Sequence, residues 1–412
     1  MPRRVNGDAK IAVAYVSLAV PDTPEFRNHA LHNNGNTFMQ NVLLGLRSDP
    51  CAEVTAFSAV PVPSFPRGHR IMVWPQMLEL SPGVMAIGVP FINITPIKQL
   101  SIGLSMLCHL VRWGWRERHK KHRVVFSFNI SVPPLLFTLA GAYLVRAKTM
   151  VYICDLNAPG GITPRTLLHR IDRLENWLLR FVDGGIVIAD QMGAENLAGR
   201  PYIRVDGGAS RFLVEETGRL LAARRLDEAH FTIVATGSLF AHNGVREILI
   251  AFSQLEGSRY RLVFAGRGEL ESEISAAAAQ DPRIDFKGFL KTQDLLALHA
   301  TADLLVSMRV TQSINTSYGF PSKTFEYLLS GVPVITTATG HMRSEYGPYC
   351  FILEEESPAE LAELVRKIER IAPAERKRIG LAAREFMVEN KIWETQHKRI
   401  AEYVRSRTIA VC

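Results

Sequence analysis

The sequence predicts an α/β protein built from two doubly wound, Rossmann-like domains, and three observations carry that reading. Short apolar, β-rich runs alternate with helical runs along the chain, the rhythm of βαβ units in a parallel sheet. The rhythm lapses after Arg204 and then restarts. At 412 residues the chain is also too long for one ordinary hydrophobic core.

In the first half, strand-like runs occupy 11–17, 54–58, 84–87, 124–128, 150–154 and 185–188. Helical stretches at 37–47, 100–118 and 167–181 lie between them. The opening "MPRR" followed by "IAVAYVSLAV" mimics a secretory leader. Asn6, Gly7, Asp8 and Lys10 separate the arginines from the apolar run, and no small-residue cleavage site is clear, so 11–17 reads as a buried strand. A loop-like "VDGGASRF" and a polar helical stretch, 215–225, divide the halves. "FTIVATGS", "RLVFAG", "IDFKG", "DLLVSM" and "VPVITT" then follow as strands separated by helical segments.

Hydrophobic residues make up 47% and charged residues 21%, a globular balance. A net charge of +8 admits an anionic partner, whether nucleic acid, membrane surface or phosphorylated substrate, without choosing among them. Cys51, Cys108, Cys154, Cys350 and Cys412 are scattered, with no CxxC pair, which reads as buried free thiols in a reducing cytosol. The longest apolar runs, 100–111 and 130–145, fall short of the ~20 residues that span a bilayer. No acidic or histidine cluster has metal-ligand spacing, and no metal or resident cofactor is expected.

Ligands of doubly wound sheets bind at the carboxyl ends of strands. Glycines recur there, in "TGS" at 236–238 and "AGRGE" at 265–269. The most informative stretch is "YGFPSKTFEYLLSGVPVITT", 318–337. Pro321 presets a helix start and lacks the N–H that would be orphaned there. The free N–H groups of Ser322, Lys323 and Thr324 would then make an anion site at a positive helix end, reinforced by the Lys323 charge. Glu326 is not the reciprocal partner of Ser322 in a capping box, because Phe325 holds that position. A carboxylate beside a phosphate cradle suits hydrogen bonds from sugar hydroxyls.

This second half resembles the donor domain of GT-B glycosyltransferases, most like family 4 of the retaining enzymes. The resemblance rests on "TGSLFAHNGVREILIAFSQL", "YRLVFAGRGELESEI", "IDFKGFL", "LLALHATADLLVSMR" and "YGFPSKTFEYLLSGVPVI" in matching order. The first half is similar more loosely, through "NNGNTFMQNVLLGL", "VYICDLNAPGG" and "LENWLLRFVDGGIVIADQMGAENL". The resemblance implies an acceptor-binding domain at 1–205, a nucleotide-sugar domain at 206–385 across a cleft, and a terminal helix, 386–412, that crosses back. It implies a retaining, metal-independent hexosyltransferase. Asp155 would sit at the acceptor side, Glu326 would hold the ribose, and Ser322 and Lys323 the diphosphate. The backbone near Phe289 would meet the base, Gly237 and Ser238 would border the phosphates, and Gly35 and Asn36 would face the donor from the other side.

The chain departs from the family pattern in three places. Tyr318 replaces the earlier member of an acidic pair, Ser238 and Asn243 replace an Arg and a Lys, and Cys154 replaces a histidine. Lys323 with Arg267 or Arg309 would then supply the positive charge. The basic stretch "RWGWRERHKKHR", 112–123, follows an apolar helical face of Leu100, Leu104, Leu107 and Val111. Trp113 and Trp115 among arginines suit a bilayer interface carrying anionic lipid. The expectation is a cytoplasmic glycosyltransferase, peripheral on the inner face of the membrane, acting on a lipid-linked saccharide acceptor in polysaccharide or glycolipid assembly. Alternatives are a non-catalytic sugar-nucleotide-binding subunit or a sugar-nucleotide epimerase. Nucleic acid is not expected as a partner.

Overall fold

The structure, a computed structural model, describes residues 10–27, 33–128, 131–154, 156, 167–225, 229–311 and 316–409. The chain divides into two compact units, residues 1–206 with 394–412, and residues 207–393. The sequence reading places the return of the chain at 386. The helix Pro373–Asn390 instead buries Ala383 and Met387 with Leu328 and Leu329, which ties this stretch to the second unit.

The first unit is built on an eight-stranded sheet. Its strands are β1 (Ile11–Ser17), β2 (Ala52–Ser58), β4 (Gln76–Ser81), β5 (Val84–Gly88), β7 (His122–Phe128), β8 (Lys148–Ile153), β9 (Gly184–Val187) and β10 (Tyr202–Arg204). The short pair β3 (Met72–Val73) and β6 (Phe91–Ile92) stands apart. The order is β10-β9-β8-β7-β1-β2-β5-β4, parallel except for the β4–β5 hairpin. Strand β1 is apolar on both faces: Ile11, Val13 and Tyr15 enter one core layer, and Ala12, Ala14 and Val16 the other. That is the pattern of a central parallel strand covered by helices on both sides.

The helices Ile97–Arg116 and Pro134–Leu144 cover one face and cross closely. A Cβ at Gly103 would come within 2.2 Å of Phe137, and one at Gly114 within 2.3 Å of Val145. Ile102, Met106, Leu110 and Trp113 form the buried stripe of the longer helix. The stripe read from sequence is largely outward: Leu100, Leu104 and Val111 are exposed. The helix is apolar on two faces, so periodicity alone left open which one packs.

The second unit holds a six-stranded, wholly parallel sheet of β11 (Phe231–Ser238), β12 (Tyr260–Arg267), β13 (Ile284–Phe286), β14 (Leu304–Ser307), β15 (Val334–Thr337) and β16 (Phe351–Leu353). The order β13-β12-β11-β14-β15-β16 reverses direction between β11 and β14. A doubly wound sheet opens its ligand crevice at such a switch point. Phe231, Ile233 and Ala235 pack on one side of β11 and Val234 on the other.

Candidate functional site

The carboxyl end of β11 in the second unit is where polar groups converge. Thr236 is buried, and its N–H donates to the Tyr327 hydroxyl at 2.8 Å. Its Oγ1 meets that hydroxyl at 3.1 Å and His299 Nε2 at 3.0 Å. Its carbonyl accepts a hydrogen bond from Lys323 Nζ at 2.6 Å. Burial and the Lys323 charge push His299 down to about 3, so the imidazole is neutral at physiological pH. Burial pushes Tyr327 up to about 12, keeping its proton. A neutral hydrogen-bonded network thus fixes the strand end that carries a cation.

Lys323 opens the helix Lys323–Leu329. Burial and, second, the nearby Arg309 guanidinium draw its ammonium down to about 8, with Glu326 opposing. Burial lowers Arg309 as well. Glu326 follows one turn later on the same helix; burial raises its carboxyl, and Lys323 tempers the rise. Two cations and a mostly buried carboxylate therefore share a site with little solvent. Such groups are costly to bury, and their perturbed protonation is a mark of functional sites.

Two glycines make room for this arrangement. Gly237 and Gly266 are paired at the ends of β11 and β12. A Cβ at Gly237, where φ is +112°, would lie 2.4 Å from Lys323 Cε. A Cβ at Gly266, φ +149°, would lie 1.8 Å from the Gly237 carbonyl oxygen. Beside them the Arg267 guanidinium stacks 4.4 Å from the centre of the exposed Phe289 ring. A flat ring with a guanidinium on it is a platform on which a planar base can stack.

Gly237 and Ser238 end β11, Arg267 ends β12, Phe289 lies in the loop after β13, and Ser322, Lys323 and Glu326 lie at the start of the helix Lys323–Leu329. Ser238 is exposed, and the Asn243 amide closes its loop through the Ser238 carbonyl at 2.8 Å. Pro321 does not begin the helix: Ser322 is the N-cap, its side chain makes no capping bond, and Pro321 accepts the Thr324 N–H in the turn before it. Tyr318 is buried. In the first unit, Gly35 and Asn36 lie in the helix Asn33–Arg47 rather than in the loop before it. Asn36 bonds both polar groups of Val20, at 2.9 and 3.0 Å, and so staples the loop after β1. Asp155 lies outside the described residues.

Thr236, His299 and Tyr327 were not read from sequence, although a histidine and a tyrosine at buried helix positions signal a polar network inside a core.

The first unit carries its own cavity, of about 610 Å³, at the carboxyl ends of β1 and β2. Val16, Leu18, Val60, Ile102 and Met106 give it an apolar lining, and Lys98 adds a cation held on the Val62 carbonyl. Thr138 Oγ1 borders it, buried and without a hydrogen-bond partner.

The basic stretch after the long helix is less free than its sequence suggests. Trp113 is in the core at 2% exposure, so it is not an interfacial residue, whereas Trp115 is 69% exposed and carries Arg118 over its ring at 4.4 Å. Lys120 is buried against Glu53 and Glu117, and Arg116 pairs with Glu117. Ile97, Leu100, Leu104, Val111 and Trp115 line one exposed ridge. No helix among the described residues is long and apolar enough to cross a membrane.

Residues 230–370 match the family model described as Glycosyl transferases group 1. No curated protein matches the chain by sequence. Among solved structures, the chain is similar to a glycosyltransferase from Rickettsia africae (TM-score 0.65, 13% identity, covering 98% of this chain and 100% of that one). It is also similar to Anabaena HepE, solved with UDP and glucose (TM-score 0.58, 15% identity, 96% and 99%). A third is WaaG, a glycosyltransferase involved in lipopolysaccharide biosynthesis (TM-score 0.54, 14% identity, 97% and 100%). The chain thus has the GT-B glycosyltransferase fold along nearly its whole length, and the family match at 230–370 covers the segment that carries the Thr236–Lys323–Glu326 constellation.

Proposed function

We propose that the protein transfers a sugar from a nucleotide diphosphate sugar to a lipid-linked saccharide acceptor, with retention and without a metal, in cell-surface polysaccharide or glycolipid assembly. The observation that carries this reading is the half-buried Lys323 ammonium, held on the Thr236 carbonyl with Arg309 and Glu326 beside it. Diphosphate oxygens would take hydrogen bonds from Lys323 and charge from Arg309. Glu326 would accept the ribose hydroxyls, and the base would rest against Phe289 and Arg267. The UDP bound by HepE is the same class of ligand.

The chemistry follows from where charge develops. As the bond from the anomeric carbon to the diphosphate oxygen breaks, negative charge grows on that oxygen. A cation already in place in a water-poor site stabilises it without reorganisation. At about 8, Lys323 is mostly protonated at neutral pH and available for that role. Lys323 and Arg309 offset the missing basic residues at Ser238 and Asn243, which favours an active enzyme over a silent binding subunit. Asp155 is assigned to the acceptor side by the family resemblance.

Two features of the first unit support a lipid-linked acceptor. The largely apolar cavity also holds cations, Lys98 and Arg67, a combination that suits a saccharide carried on an anionic lipid. The exposed ridge of the helix that lines it combines apolar side chains with Trp115 and Arg118, the make-up of a surface that rests on anionic lipid. The protein would then work at the cytoplasmic membrane face. Incubation of the protein with candidate nucleotide sugars and a lipid extract tests the reading. Nucleoside diphosphate should be released only when both are present, and Glu326→Gln should slow it while the protein stays folded. Release that is absent with every donor contradicts the enzyme reading.

A further inference from the structure

The second unit has a cavity of about 680 Å³ that the transfer reaction does not use. Asp303 and Pro333, which precede β14 and β15, place it at the amino edge of the sheet, the edge opposite to the Lys323 site. Its charged lining is Arg224, Arg225, Arg376, Lys377, Arg384 and Asp303: five cations to one carboxylate.

The three inner guanidiniums are held in place by neutral acceptors. Arg376 donates to the Glu369 and Ile371 carbonyls at 2.7 and 2.8 Å, and its other terminal nitrogen is 3.9 Å from Asp303. Arg384 donates to Thr217 Oγ1 at 2.7 Å and the Val214 carbonyl at 2.8 Å. Arg224 donates to the Ala302 carbonyl, while its Nε is buried with no partner. The Asp303 carboxylate accepts the Thr232 N–H at 3.0 Å and offsets part of the charge of Arg224 and Arg376. Carbonyl dipoles orient these cations but do not cancel their charge, and burial lowers both Arg224 and Arg384. Arg225 and Lys377 are exposed. The cavity is thus a preorganised excess of positive charge, of a size that suits a small molecule.

We infer that this cavity binds a small soluble anion bearing two or more phosphate groups, separately from the sugar donor. Bidentate guanidinium–phosphate bonds are the strong, geometry-matched form of this recognition. The inference does not depend on the transfer reaction, because no Lys323-site residue lines the cavity.

Pyrophosphate is the probe, and the test is run in the Lys323→Ala variant so that the donor site does not answer for it. Thermal melts and calorimetric titration should show pyrophosphate stabilising and binding this variant. Adding Arg225→Ala and Lys377→Ala, which remove two exposed side chains at the rim, should weaken binding at least tenfold with the ligand-free melt unchanged. Sedimentation with phosphatidylglycerol vesicles separates a lipid headgroup from a soluble ligand: vesicle binding should not change on the Arg225→Ala, Lys377→Ala substitution. The inference is overturned if Lys323→Ala alone abolishes pyrophosphate binding, if binding survives the rim substitutions, or if those substitutions instead release the protein from vesicles.

Discussion

Burial draws Lys323 down to about 8, near neutral pH, and nucleoside diphosphate affinity should follow it. A bound diphosphate favours the charged ammonium, so binding above the free-protein value of about 8 requires uptake of a proton. Nucleoside diphosphate affinity should hold near pH 7 and fall as pH rises through about 8. Lys323→Arg, whose charge persists, should flatten the fall. Titration calorimetry across pH reads both, and an unchanged pH profile in Lys323→Arg would remove Lys323 as its source. Gly237 makes a second residue-scale test. Alanine there is strained at φ +112° and collides with Lys323 Cε, so Gly237→Ala should cost about 1–3 kcal/mol of stability and weaken donor binding more than tenfold. Urea melts and calorimetry separate the two effects. Lys323 and Glu326 were legible in the sequence because they share one short helix. The Thr236–His299–Tyr327 network was not, because its members are 63 and 91 residues from Thr236 and meet only when the sheet forms.

At the scale of elements, the helix Ile97–Arg116 separates two tryptophans that the sequence presents as equivalent. Trp113 continues the Ile102–Met106–Leu110 stripe into the core, and Trp115, two positions on, points to solvent. Trp113→Ala should cost about 3–5 kcal/mol in urea melts. Trp115→Ala should stay within about 0.5 kcal/mol of wild type yet reduce sedimentation with anionic vesicles. Equal vesicle binding by wild type and Trp115→Ala would take the ridge out of membrane attachment. In the β4–β5 hairpin, the inner strand was legible at 84–87 but the outer one was not. Its outer strand, Gln76–Ser81, is half exposed and flanked by Pro75 and Pro82, so it lacks the continuous apolar run that marks central strands such as β1.

For the whole molecule, the repeated strand–helix rhythm and its break after Arg204 suffice to anticipate two doubly wound sheets, because buried parallel strands leave dense apolar runs in the sequence. The charge around Lys323 was harder to read. With Ser238 and Asn243 where basic residues are expected, the sequence alone leaves binding in doubt, and only folding brings Arg309 to Lys323. The central claim is that Lys323 holds the diphosphate of a nucleotide. Its most direct test is calorimetric titration of UDP, GDP and ADP into wild type and Lys323→Ala. One of the three should bind wild type at a single site and bind Lys323→Ala at least tenfold more weakly, the loss of one charge-assisted hydrogen bond of about 1.5–3 kcal/mol. Binding of equal strength in the two proteins, or no binding of any of the three to wild type, would contradict it.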